Sequence, residues 1–306
     1  MPAERVIHEL RRLLADAGLS GSFLVRDLST GEEAAIDADR ELPIASLVKL
    51  PLAIAVLDRV RTGRIDGART VTVQPGRVTS PGPTGLSRFR HPARIAVEDL
   101  LYLALAISDN TAGDALFGLV PPAEVQRTLR DAGLAGITVR HLLHELSDTP
   151  AERFAPDEAR LAQSLAIDRG TPGRGHAIPQ LDVGRANTGT ARAFVDLLEA
   201  LWVPGRIHAE VARPVRSLMA ANVIRHRLAP DFGADSAVWS SKTGTLLNLR
   251  HEVGVVEHGD GTAVAVAALT ESSVPAAVQP AAEAAMARVA RALHDHVRAD
   301  GRTAPW

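Results

Sequence analysis

Strand-forming stretches at opposite ends of the chain, with a long helical run between them, limit the fold more than any other feature. Residues 3–17 have the pattern of an amphipathic helix, with Val6, Leu10, Leu13 and Leu14 on one face and Gly18 as its stop. Phe23–Val25 and Ala34–Ile36 then read as two strands about a Ser29-Thr30-Gly31 turn. Helical periodicity takes over at 46–61, 97–107, from 111 onward, and at 122–132, 157–167, 190–201 and 209–221. From Ala237 the pattern returns to strands. Val253–Val256 and Ala263–Ala267 flank a Gly259-Asp260-Gly261 hairpin turn, and an alanine-rich helix covers about 277–297. This order predicts a sheet assembled from both ends of the chain, with a helical block inserted between them.

Bulk properties exclude several functions. At 306 residues the chain exceeds a single compact core. The net charge is −2 and the positive residues are scattered, so neither a nucleic-acid stripe nor a membrane-surface patch is expected. Arg225-His226-Arg227 reads as a solvated loop. The absence of cysteine removes disulfides, zinc–thiolate sites and a thiol nucleophile. Leu100–Ile107, among the longest apolar runs, is far too short to span a bilayer. The first residues carry no apolar signal core, so the chain, taken as complete, reads as cytoplasmic.

Lysine usage points to the chemistry. The chain has two lysines, Lys49 and Lys242, against thirty-two arginines. An arginine stays charged in any protein environment, whereas a desolvated lysine can lose its proton and act as a base. Lys49 closes Ser46-Leu47-Val48-Lys49 at the start of a helix hydrophobic nearly all round, which should be buried; Pro51 is tolerated because it lies near the helix start. Ser-x-x-Lys brings hydroxyl and amine onto one face, near free backbone N–H groups and the positive end of the helix dipole. A nucleophilic serine needs a base beside it and donors for its oxyanion. Taken singly, each element also has a plain structural reading. Ser46 could be an N-cap, Ser108-Asp109-Asn110 a capping turn between helices, and Lys242-Thr243-Gly244-Thr245 an edge-strand lysine before a bulge. Thr111-Ala112-Gly113-Asp114 resembles a capping box.

Together and in this order, the three elements resemble the penicillin-recognising serine enzymes, and within them the class A β-lactamase family. The resemblance covers nearly the whole chain, with 46–118 and 238–270 matching best and 140–190 poorly. It implies an α+β fold: an antiparallel sheet flanked by helices plus an inserted all-helical domain. The sheet domain would comprise 1–45 and 235–306, the helical domain 46–234, with the active site between them. It further implies that Ser46 attacks an acyl carbonyl, with Lys49 as its base, the amine depressed by burial and by Lys242. Ser108 would pass a proton to the leaving atom, and Asn110 would hold the substrate's amide side chain. Lys242, Thr243 and Gly244, with Arg250 downstream, would bind a substrate carboxylate. The N–H groups of Ser46 and Thr245 would form the oxyanion hole.

The match fails where the family carries its deacylation glutamate, in a loop reading Glu-x-x-Leu-Asn. Local alignment of Leu142–Ser147 puts Leu143 at that position; Glu145 follows two residues later, and Glu158 is a second candidate. Three functions therefore stay open: β-lactam hydrolysis, which leads; esterase, amidase or acyltransferase action on another small acyl group; and acylation without turnover by a penicillin-binding or sensing protein. Each takes a small-molecule acyl substrate that bears a carboxylate, and none requires a cofactor. His141 with His144, and His294 with His296, lack a third ligand at metal-site spacing and read as surface or cap histidines. Residues 168–189 read as a long loop, and Ser80–Gly85 as a stiff loop at the rim of the site.

Overall fold

The computed structural model describes residues 3–74, 84–149, 154, 158–168, 174–234 and 236–300. The N-terminal part comprises helix α1 (Ala3–Asp16) and strands β1 (Leu19–Asp27), β2 (Glu33–Ile36) and β3 (Leu42–Pro43). Helix α2 (Lys49–Arg61) precedes a hairpin of β4 (Thr70–Val73) and β5 (Ala93–Ala96). The middle of the chain then runs through α3 (Val97–Ala106), α4 (Asn110–Phe117), α5 (Pro122–Asp131), β6 (Ile137–Thr138), α6 (Leu143–Ser147) and α7 (Ala159–Asp168). It continues with β7 (Thr188–Gly189), α8 (Ala191–Trp202), α9 (Ala209–Ala220) and α10 (Ala229–Phe232). Three long strands, β8 (Ala237–Leu246), β9 (Leu249–His258) and β10 (Ala263–Ser272), lead to α11 (Pro280–Asp300).

Five strands form one antiparallel sheet in the order β2-β1-β10-β9-β8, so strands from both ends of the chain pair directly. Strand alternation sorts its side chains between two cores. Phe23, Val25, Val264, Val266 and Ala268 pack with Leu14, Met286 and Leu293 from α1 and α11. Leu24, Ala265, Ala267 and Leu269 pack on the opposite face with Leu47, Phe194 and Leu198. Both faces are thus covered, which is why β10 reads as an unbroken apolar run. The buried Arg26 adds a polar tie across the second face, bonding Glu33 on β2 and Asp196 and Glu199 on α8.

Helix α2 is buried along residues 49–57, as its all-round hydrophobicity predicts. The helix does not begin at Ser46, however. Ala45–Val48 form a 3-10 turn, entered through Ala45 in the left-handed region (φ 46°), and the α-helix starts at Lys49. In a 3-10 turn residues i and i+3 eclipse, which suits a Ser-x-x-Lys pair. Strand β8 lies at the free edge of the sheet, alongside this turn. Gly244 permits the approach: a Cβ there would stand 2.9 Å from the Ile44 carbonyl oxygen and 3.1 Å from Leu47 Cγ.

Candidate active site

Ser46 is half-buried in a run, Leu42 to Leu50, whose other residues are all buried. Lys49 Nζ, fully enclosed, lies 3.1 Å from Ser46 Oγ, 3.2 Å from Ser108 Oγ, 2.6 Å from the Ser108 carbonyl and 2.6 Å from Asn110 Oδ1. Lys242 Nζ reaches the same Ser108 hydroxyl at 2.9 Å and the Thr243 carbonyl at 2.8 Å. A polar chain therefore runs Ser46–Lys49–Ser108–Lys242 across the helix–strand boundary. The three motifs, separated by up to 196 positions in sequence, meet at single hydrogen-bond distances.

Ser108 is held in the left-handed region (φ 59°), uncommon for a residue with a side chain. Its neighbour Asp109 anchors it. That buried carboxylate caps α4, accepting from the N–H groups of Thr111 (2.9 Å) and Ala112 (3.1 Å), and its other oxygen accepts from Leu86 N–H at 2.6 Å. Asp109, not Thr111, is thus the cap of this helix. Gly85 (φ 73°) allows the loop to approach, because a Cβ there would stand 2.2 Å from Asp109 Oδ2. The neighbouring Ser80–Pro83 lie outside the described residues.

Burial is the largest cause lowering the Lys49 pKa, to about 7, with Asp109 and Asp114 opposing it. Lys242 is also pushed well below the ordinary lysine value, first by burial and then by repulsion from Lys49 and Arg227. Desolvation therefore does more than the second cation to make Lys49 a base at neutral pH.

Two arginines end in places the sequence does not foretell. Arg227, expected in solvent, is buried: its guanidinium bonds Thr245 Oγ1 (2.7 Å), the carbonyls of Gly244 (3.0 Å) and His251 (2.8 Å), and Glu283 (3.1 Å). Only Arg225 and His226 of that triplet are exposed. No local motif marks Arg227, since its partners lie on β8, β9 and α11. Arg250, expected to receive a carboxylate, lines the cleft, but its two terminal nitrogens donate to the carbonyls of Leu247, Leu249, Ala276 and Ala277. Its guanidinium braces the β8–β9 hairpin against the segment before α11.

The glutamates singled out as deacylation bases stand apart from this cluster. Glu145 is exposed and its Oε1 accepts from Leu142 N–H (3.1 Å), capping its own short helix α6. Glu158 is exposed at the start of the next helix. Leu143 is buried instead, beside Lys49: a Cβ added to Gly113 would meet Leu143 Cδ1 at 2.2 Å and Lys49 Cε at 3.4 Å. Asp114 fixes this placement, accepting from the N–H groups of Leu143 (2.7 Å) and His144 (2.8 Å), and burial raises its pKa. Gln180 holds the far end of α6 through the carbonyls of Glu145 (2.8 Å) and Asp148 (2.9 Å).

The histidine pairs separate. His141 ties to Asn187 while His144 faces Asp114, and the buried His294 meets His258 (2.9 Å between Nε2 atoms) and Asp295. Among the described residues no three His, Asp, Glu or Cys side chains gather as a metal site. No helix among them is long and apolar enough to cross a membrane. Ser46, Ser108, Asn110, Thr243 and Thr245 open onto a cleft of about 880 Å³.

This fold and this arrangement of serine and lysine are those of the class A β-lactamase and penicillin-binding type. The chain belongs to the Beta-lactamase enzyme family, whose model matches residues 5–297. It is 64% identical to the β-lactamase regulatory protein BlaB of Streptomyces cacaoi over 97% of this chain and 98% of that one. In structure it resembles a β-lactamase from Chitinophaga pinensis (TM-score 0.75, 19% identity, 95% of this chain and 99% of that one). It also resembles a leucine-to-glutamate mutant of PBP-A in acyl-enzyme complex with penicillin G (TM-score 0.72, 16% identity, 97% of each chain).

Proposed function

We propose that this protein senses β-lactams or related carboxylate-bearing amides by forming a long-lived acyl-enzyme at Ser46. One observation carries the reading: a nucleophile 3.1 Å from its amine base, with buried Leu143, which sequence alignment puts at the position of the deacylation glutamate, across Gly113 from that base. Lys49, its pKa brought to about 7, takes the Ser46 proton as Oγ adds to the carbonyl carbon. The N–H groups of Ser46 and Thr245 stabilise the oxyanion. Collapse breaks the C–N bond; Ser108 gives its proton to the departing nitrogen and recovers one from Lys49, to which it is bonded. Ser46 is left as an ester.

Hydrolysis of that ester needs a base for water. The carboxylates of Asp109 and Asp114 already accept backbone N–H groups, and Leu143 offers none. The relative named as a β-lactamase regulatory protein supports sensing over turnover. Slow hydrolysis with Lys49 serving both half-reactions is the second reading, favoured by that same pKa near neutrality.

Intact-mass spectrometry of the protein with penicillin G tests both. A lasting adduct absent from Ser46→Ala supports sensing. A transient adduct with accumulating penicilloate supports hydrolysis, and no adduct on the wild-type protein refutes acylation by this ligand.

A further inference from the structure

A second cavity, of about 430 Å³, lies apart from the cleft at Ser46, and no residue lines both. It is bounded by the start of β1, by β3, by the end of α7, by the turn between β8 and β9 and by the end of β10. Leu42, Ala166, Leu181 and Val183 give it buried apolar walls. Its volume is that of a site for a small molecule.

The polar groups on its wall are unevenly matched. Most donors are already used. Arg40 donates to Glu271 and, at 3.5 Å, to Ser20 Oγ. Ser272 Oγ donates to Gln279 Oε1 (2.7 Å), and Ser273 Oγ to the Gly18 carbonyl (3.1 Å). His176 donates from Nε2 to the Ala166 carbonyl (3.0 Å), while its Nδ1 accepts from Ile178 N–H (2.9 Å).

The acceptors are less fully used. Asn248 is 8% exposed, and its Oδ1 is buried without a hydrogen-bond partner among the described residues. An unpaired buried acceptor is destabilising, so a donor brought to it is rewarded. The amide is tethered by one long bond, from Nδ2 to the Ser272 carbonyl (3.3 Å), which leaves it free to turn toward a donor in the cavity. Glu41 accepts from Thr188 Oγ1 (2.6 Å), and no cation among the described residues pairs with it; Arg140 reaches that hydroxyl (3.2 Å) and not the carboxylate. These acceptors are neighbours. Arg40, next to Glu41 in sequence, bonds Glu271, and Ser272 N–H donates to the Asn248 carbonyl (2.8 Å). Two carboxylates and an unpaired amide oxygen, against one arginine already committed, suit a ligand that brings N–H donors and positive charge.

We infer that this cavity is a second binding site, for a small alkylammonium ion. The ammonium is drawn to Glu41 and Glu271, with Asn248 Oδ1 as a further acceptor, and the chain lies on Leu42, Leu181 and Val183. The site shares no group with the chemistry at Ser46 and does not depend on the acyl-enzyme reading.

The test titrates isotope-labelled full-length protein with n-hexylammonium chloride, n-hexanol and sodium hexanoate, followed by the amide chemical shifts. The three compounds carry similar chains and differ in the head group. Backbone amides of Leu42, Asn248 and Ser272 and the Asn248 side-chain amide should shift with n-hexylammonium. Its dissociation constant should be lower than those of the alcohol and the carboxylate by about tenfold or more. Glu41→Gln should weaken its binding about fivefold, and Asn248→Asp, of the same shape with an added charge, should tighten it. Both variants keep the apolar wall, and their amide spectra away from the cavity report that they are folded. Shifts confined to the cleft around Thr243 and Thr245, equal affinity for the three head groups, or an affinity unchanged in both variants overturns the inference.

Discussion

Lys49 and Lys242 hold one hydroxyl between them, their Nζ atoms 3.2 Å and 2.9 Å from Ser108 Oγ. Both amines are fully enclosed, and two ammonium ions in one dry pocket would repel strongly. The arrangement is stable when one is neutral, and a neutral Lys49 would serve as the base proposed for Ser46.

Acylation should therefore follow the ionisation of Lys49. Its pKa is lowered to about 7, so the neutral amine is scarce at pH 5.5 and dominant at pH 8. The rate constant for acylation should rise about tenfold per pH unit below 7 and level off above it. A flat profile between pH 5.5 and 8 would remove Lys49 as the base. Lys49→Arg keeps a cation but cannot deprotonate, and should slow acylation by about a thousandfold or more.

Much of this site can be read in the sequence, and the reason is chemical. Ser46, Lys49, Ser108 and Lys242 stand out because each falls in a short motif, and two lysines beside thirty-two arginines are conspicuous. The central strand β10 is legible because both faces of the sheet are covered, leaving Ala263–Leu269 an apolar run. Arg227 is not legible, because its role comes from contacts with Thr245, 18 positions away, and Glu283, 56 positions away. Glu145 misleads for a related reason: an acidic residue beside the expected position looks like a base, but it serves as a cap for α6. Leu143 carries more information than either glutamate, and its meaning comes only from its buried place near Lys49 across Gly113.

Replacing that leucine should change the fate of the ester. Leu143→Glu places a carboxylate beside Lys49 and gives water a base, so the penicillin adduct should shorten from lasting to transient and penicilloate should accumulate. The substitution buries an ionisable group where an isobutyl side chain packed, at a cost of about 2–4 kcal/mol seen as a lower melting temperature. It should also raise the Lys49 pKa, moving the acylation profile to higher pH. An adduct as durable as in the wild-type protein would show that slow deacylation does not arise from Leu143.

Acid stability should depend on His251. Its ring lies beneath Gly244, with Nε2 donating to the Pro43 carbonyl (2.9 Å) and Nδ1 accepting from Thr270 N–H (3.1 Å), which defines a neutral tautomer. Burial drives its pKa down to about 4, and His258 and His294 are lowered by burial as well. The unfolded chain binds protons at these histidines near pH 6.5 while the folded chain does not. Stability is therefore complete above pH 6.5 and lost as the pH falls towards 4, by up to about 3 kcal/mol from His251 alone. Urea unfolding between pH 7 and 4.5 measures this loss, and His251→Gln should flatten its pH dependence. An unchanged slope in that variant would refute the assignment.

Arg227 should separate recognition from nucleophile reactivity. Its guanidinium fixes Thr245 and the Gly244 carbonyl on β8, the strand proposed to receive the ligand carboxylate, and makes no hydrogen bond to Ser46 or Lys49. Arg227→Lys retains a charge but not the planar fork that serves Thr245, two carbonyls and Glu283 together. Penicillin binding should weaken about ten- to a hundredfold, whereas labelling of Ser46 by a small fluorophosphonate, which bears no carboxylate, should fall by less than about threefold. Arg227→Ala would also leave Glu283 with less compensation in a buried position, so its melting temperature should drop further than that of the lysine variant. Equal losses towards both reagents in Arg227→Lys would mean that the arginine supports the whole edge of β8 rather than the ligand's carboxylate.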